Sequence, residues 1–119
     1  SMKKILLVED TPTIRENLAE YLELSGHDVV VATNGQEGWA FLQAEQPDLV
    51  ICDVKMPLLN GFEIKERANQ DDALKDIPFI FLSAAAQKTD IARGQSLGAI
   101  AYLTKPFDMK DLLSWVNKI

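Results

Sequence analysis

The stretch Leu49-Val50-Ile51-Cys52-Asp53-Val54-Lys55-Met56-Pro57 decides how this chain is read. Its four leading apolar residues describe a strand buried on both faces, as in a parallel sheet. A lone carboxylate, Asp53, follows at once. Two other runs end in the same way. Ile5-Leu6-Leu7-Val8 leads into Glu9-Asp10, and Ala101-Tyr102-Leu103-Thr104 leads into Lys105-Pro106. In an open parallel sheet all strands end at one edge, and such folds put their sites there. Three acids and a lysine are therefore expected to converge on one small volume.

Outward from that stretch, apolar runs at 5–8, 29–32, 49–52, 79–82 and 101–104 alternate with segments of helical spacing. Thr11 is placed to cap a first helix, with Pro12 at a position that tolerates proline. Ile14, Leu18, Tyr21 and Leu22 form its apolar stripe, and Gly26 ends it. Asn34 with Glu37 reads as a capping box for a helix that turns Trp39 and Leu42 inward, ended by Pro47. Asn60-Gly61 marks a turn into a third helix from about Phe62. A fourth helix spans 89–97 and stops at Gly98. Asp108 caps a fifth, striped by Leu112, Leu113 and Val116. Five successive βα units imply right-handed crossovers and a three-layer α/β sandwich.

A chain of 119 residues can bury its own core as one domain, expected over 3–119. Ser1-Met2 reads as a cloning remnant and the start. No apolar run approaches the roughly 18 residues of a membrane span, and no secretory leader is visible. The single cysteine, Cys52, lies in an apolar run and is expected to be a buried packing residue. That usage suits a reducing cytoplasm. A net charge of −6 argues against nucleic acid as a direct partner. Part of the excess acid is available to hold a cation.

If strands 1 and 3 are neighbours, Glu9, Asp10 and Asp53 meet and repel by several kcal/mol per pair. They need a counter-charge. Hard oxygen ligands with no His or Cys cluster point to Mg²⁺.

These residues resemble the receiver domain of two-component response regulators. The resemblance rests on Glu9-Asp10, Asp53 to Pro57, Gly61, Ser83-Ala84 and Tyr102-Leu103-Thr104-Lys105-Pro106-Phe107, and it spans 3–119. It implies a flavodoxin-like sheet of order 2-1-3-4-5. Asp53 would be the phosphoacceptor, taking a phosphoryl group from a sensor histidine kinase or a histidine phosphotransfer domain. Asp10, Asp53 and the backbone carbonyl of Lys55 would hold Mg²⁺, with Glu9 acting through water and Mn²⁺ as a substitute ion. Lys105 and Ser83 would contact the phosphoryl oxygens, and Tyr102 would act as a rotameric switch. A cis Lys105–Pro106 bond is also implied. The face made by the fourth helix, fifth strand and fifth helix would then control an output domain or protein, with a phosphorylation-linked homodimer as one form. Helix 1 would dock the kinase, and Lys55 and Ala85 would tune the phosphoryl lifetime.

Each residue taken alone also has an ordinary reading. Asp10 can cap a helix, Asp53 and Ser83 can end strands, Lys105 can be a surface charge, and Tyr102 can be core. Three positions depart from the family pattern. Gly38 stands inside helix 2, where the family usually has alanine, at a cost of roughly 1 kcal/mol. Glu9 replaces the more frequent aspartate. Ile100 replaces a polar residue, and either enlarges an apolar output patch or simply packs at the strand start. The competing functions are a phosphorylation-independent binding module, a Mg²⁺-dependent aspartyl phosphatase and a flavodoxin-like cofactor binder. The last two fit poorly, because the better nucleophile follows strand 3 and two acids after strand 1 repel an unassisted phosphate.

Overall fold

The computed structural model describes residues 2–84 and 87–119. Its elements run β1 (Lys4–Val8), α1 (Pro12–Leu24), β2 (Asp28–Ala32), α2 (Gly35–Glu45), β3 (Leu49–Asp53), α3 (Gly61–Asn69), β4 (Phe79–Ser83), α4 (Lys88–Ser96), β5 (Ala101–Thr104) and α5 (Met109–Asn117). All strand pairs are parallel, in the order β2-β1-β3-β4-β5. That order is the doubly wound arrangement known from flavodoxin and the chemotaxis receiver. The sequence expectation of a (βα)₅ flavodoxin-like sandwich is met.

Residues alternate across the sheet, so each strand feeds two cores. Ile5, Leu7, Leu49, Ile51, Ile80 and Leu82 pack against Leu18 and Leu22 of α1 and Leu112 and Val116 of α5. Leu6, Val8, Val50, Cys52, Phe79 and Phe81 pack against Leu42 of α2 and Phe62, Ile64 and Ala68 of α3. Burying one such leucine contributes about 2 kcal/mol. Cys52 is fully buried, as expected of a packing residue.

The central strands β1, β3 and β4 are buried almost throughout, but β2 and β5 are only half-buried. Apolar runs alone suggested five strands buried on both faces. The strand order explains the difference, because β2 and β5 form the two edges.

Helix ends follow local chemistry. Gly26, at φ 95°, closes α1 while the N–H groups of Gly26 and His27 donate to the carbonyls of Glu23 and Leu22. Gly98 ends α4 by the same pattern, with its own N–H and that of Ala99 donating to Gln95 and Gly94. Asn60 and Glu63 form a full capping box on α3. Asp108 caps α5. The box expected on α2 is half-formed: the Asn34 side chain accepts from the Glu37 N–H, but Glu37 reaches past it to the Thr33 N–H and hydroxyl. Thr11 is the N-cap residue of α1, yet its side chain makes no cap bond.

Candidate functional site

The register β1↔β3 sets Val8 opposite Cys52, so the next residues, Glu9 and Asp53, leave adjacent strands together. One carboxylate oxygen each from Glu9, Asp10 and Asp53 lies within 4.8 Å of the others. Lys105 enters from the end of β5, where its N–H donates to the Ser83 carbonyl at 2.9 Å. Its ammonium donates to Glu9 Oε1 at 2.7 Å and Asp53 Oδ2 at 2.9 Å. The Lys105–Pro106 bond is cis.

Burial and neighbours give these groups different characters. Glu9 and Asp53 are buried, and Asp10 is half-buried. Burial works against the Lys105 charge, but hydrogen bonds to Glu9 and Asp53 outweigh it and raise its pKa above the ordinary lysine value. Asp10 is raised too, chiefly by burial and then by its hydrogen bond to Glu9 and the charge of Glu9. The lysine is thus the counter-charge that lets Glu9 and Asp53 coexist, while burial and the neighbouring Glu9 make Asp10 easier to protonate than an ordinary aspartate.

Two contacts escaped sequence reasoning. The Thr11 N–H donates to Glu9 Oε2 at 3.1 Å, and Arg15 Nη1 donates to the Glu9 carbonyl at 2.9 Å. Spacing along α1 carries no signal for a guanidinium folding back over the strand end. The β3–α3 loop holds another surprise. Leu59 N–H donates to the Pro57 carbonyl at 2.9 Å, closing a γ-turn on Leu58, which has φ 74° and is largely exposed. Gly61 lets α3 begin against this loop, since a Cβ there would lie 2.3 Å from the Asp53 carbonyl oxygen.

Ser83 ends β4 almost fully buried and is hydrogen-bonded to the Tyr102 side chain. Burial raises the phenol above its usual pKa, and the Ser83 bond pulls the other way. The Tyr102 ring sits 6.2 Å from Phe81 and 6.5 Å from Phe62. Lys55 lies on the exposed part of the β3–α3 loop, and Ala85 falls outside the described residues. Ile100 is exposed at the start of β5, its N–H donating to the Phe79 carbonyl. Beside Lys105, a groove of about 400 Å³ opens between α1 and the β5–α5 loop, lined by Ile14, Asn17, Leu18, Pro106, Phe107 and Met109. No described helix is long and apolar enough to cross a membrane.

Residues 5–117 match the family described as response regulator receiver domain. The chain is 41% identical over 118 residues to protein PilH of Pseudomonas aeruginosa, covering 99% of this chain and 98% of that protein. It spans about half the length of other curated relatives that it matches, among them the DNA-binding regulator RpaA of Synechocystis, at 37% identity over 99% of this chain. Among solved structures, the Vibrio cholerae chemotaxis protein CheY4 superposes with a TM-score of 0.91 at 30% identity, covering 100% of this chain and 99% of that one. The Mn(2+)-bound form of response regulator Rcp1 superposes at 0.82 with 32% identity, covering 98% and 91%.

Proposed function

The chain belongs to the response regulator receiver family, and from that premise we propose that Asp53 is the residue through which it receives its signal. A carboxylate oxygen of Asp53 attacks the phosphorus of a phosphohistidine. The P–N bond breaks, its electron pair returns to the imidazole, and an acyl phosphate forms on Asp53. The donor is a sensor histidine kinase or a histidine phosphotransfer domain. The observation that carries this reading is the meeting of Glu9, Asp10 and Asp53 within 4.8 Å, with the Lys105 ammonium 2.9 Å from Asp53.

The donor set, carboxylates alone, fits a hard divalent cation. Asp10, Asp53 and the Lys55 backbone carbonyl would hold Mg²⁺, with Glu9 acting through water and Mn²⁺ able to substitute. When bound, the cation supplies charge neutralisation at the phosphoryl oxygens. Lys105 adds a point charge on the other side by exchanging its Asp53 contact for a phosphoryl oxygen. Ser83 donates its hydroxyl to another of these oxygens and draws on Tyr102. The face of α4, β5 and α5 then changes, and an output domain, output protein or second copy reads it. The domain, taken as 3–119, is a cytoplasmic signalling switch rather than a turnover enzyme, although these groups assist both gain and loss of its own phosphoryl group. The apolar groove beside Lys105 supports kinase docking along α1.

Intact mass after incubation with acetyl phosphate and Mg²⁺ tests this reading. The expected result is the gain of one phosphoryl group, abolished by Asp53→Asn and by EDTA. No adduct, together with no beryllofluoride binding, would leave a phosphorylation-independent binding module.

A further inference from the structure

Helix α4 is poorly equipped to hold itself down. Of its nine residues only Gly94 is buried, so it brings almost no apolar side chain to the core. Its attachments to α3 are polar. Arg93 Nη2 pairs with Glu66 Oε1 at 2.6 Å, and Asn69 Nδ2 donates to the Leu97 carbonyl at 3.0 Å. The Arg93 guanidinium also lies 4.9 Å from the Phe62 ring centre. Phe62 in turn stands edge-on to Phe81, with centroids 5.2 Å apart, and faces Tyr102. Beneath Arg93 the α4 backbone rests on the tyrosine itself: a Cβ at Gly94 would lie 2.9 Å from Tyr102 Cδ2. Tyr102 is thus boxed by Phe62, Phe81 and Gly94, and Arg93 clips that box shut.

We infer that Arg93 is a positioning residue: through Glu66 and Phe62 it holds α4 over the inward Tyr102 ring and so sets the resting position of the switch. This rests on the reading of Tyr102 as a mobile element, but not on phosphorylation of Asp53. Packing supplies little of the hold on α4; beyond the Asn69–Leu97 hydrogen bond and the ring's own bond to Ser83, Arg93 adds a half-exposed ion pair and one cation–π contact. Each is modest, and together they bias a two-state ring equilibrium by about fivefold.

The test is ¹⁹F NMR of the 3-fluorotyrosine-labelled protein without any phosphoryl donor. Tyr21→Phe assigns the two tyrosine signals, and saturation transfer reads the minor Tyr102 conformer. Arg93→Ala should raise the ratio of outward to inward ring about fivefold with the fold retained. Glu66→Gln should raise it less, and Arg93→Lys, which keeps the charge, should recover most of the difference. Added NaCl should move the wild type toward the Arg93→Ala ratio while leaving that variant unmoved. An Arg93→Ala ratio equal to wild type would overturn the inference, as would an equal salt response in both proteins. Because no phosphate is present, a failed phosphorylation assay would count against the Asp53 reading alone.

Discussion

At the scale of single residues, Lys105 carries the most weight, because two buried carboxylates depend on it. Removing one partner of a buried charge pair commonly costs 3–5 kcal/mol. Here part of the ammonium remains open to water, so Lys105→Met should lower stability by about 1–3 kcal/mol in urea titrations at neutral pH. The pH dependence has a definite sign. The folded pKa of Lys105 lies above its ordinary value of 10.5, so its stabilisation is complete below that value and is lost as pH rises through the folded pKa. Wild type should therefore show an alkaline loss of stability that Lys105→Met lacks; identical alkaline profiles would refute the assignment. Asp53 and Lys105 were legible in the sequence because both directly follow apolar runs. The Arg15 contact and the Leu58 γ-turn were not, since one depends on how a long side chain folds back and the other on loop closure.

Elements were legible to the extent that burial, rather than reach, determined them. Strands β1, β3 and β4 announce themselves by continuous apolar residues, and α1 by its buried Leu18 and Leu22. The half-formed cap of α2 was hidden, because Glu37 can reach either Asn34 or Thr33 and only the built turn decides. Gly38, inside the same helix, looked like a simple propensity loss. In the structure a Cβ there would lie 2.8 and 3.0 Å from the two Val8 methyl carbons and 3.4 Å from Ile64 Cδ1. Val8 is fully buried in a central strand and has no room to withdraw. Gly38→Ala gains about 1 kcal/mol of helix propensity but incurs an overpacking cost of about 1–3 kcal/mol. The expected outcome is a net loss of up to about 2 kcal/mol in chemical denaturation. Gly38→Ala combined with Val8→Ala should be less damaged than the two single changes added together, since the smaller strand residue vacates the space. Strict additivity would place the cost elsewhere.

For the molecule as a whole, the quantity that periodicity could not supply was strand order, and strand order is what makes a site from separated residues. Only with β1 beside β3 do Glu9 and Asp10 meet Asp53, concentrating part of the net charge of −6 at one edge of the sheet. The arrangement opposes folding. Asp10, with its pKa raised, is charged at a cost that grows as pH climbs above its ordinary value of 3.8 through the folded value. A divalent cation held by this cluster binds the folded chain and not the unfolded one, so it must stabilise the fold by mass action. At ten times its dissociation constant the gain is about 1.4 kcal/mol. For a domain of this size that corresponds to a rise of roughly 3–8 °C in Tm. Thermal melts in Mg²⁺ and Mn²⁺ should show that rise, while NaCl at matched ionic strength should not, because screening has no preference for this cluster over other carboxylates. Asp10→Asn should begin from a higher Tm, with one repelling charge removed, and respond less to either cation. If NaCl matched Mg²⁺, or if Asp10→Asn responded as wild type does, the acidic cluster would have no ion of its own.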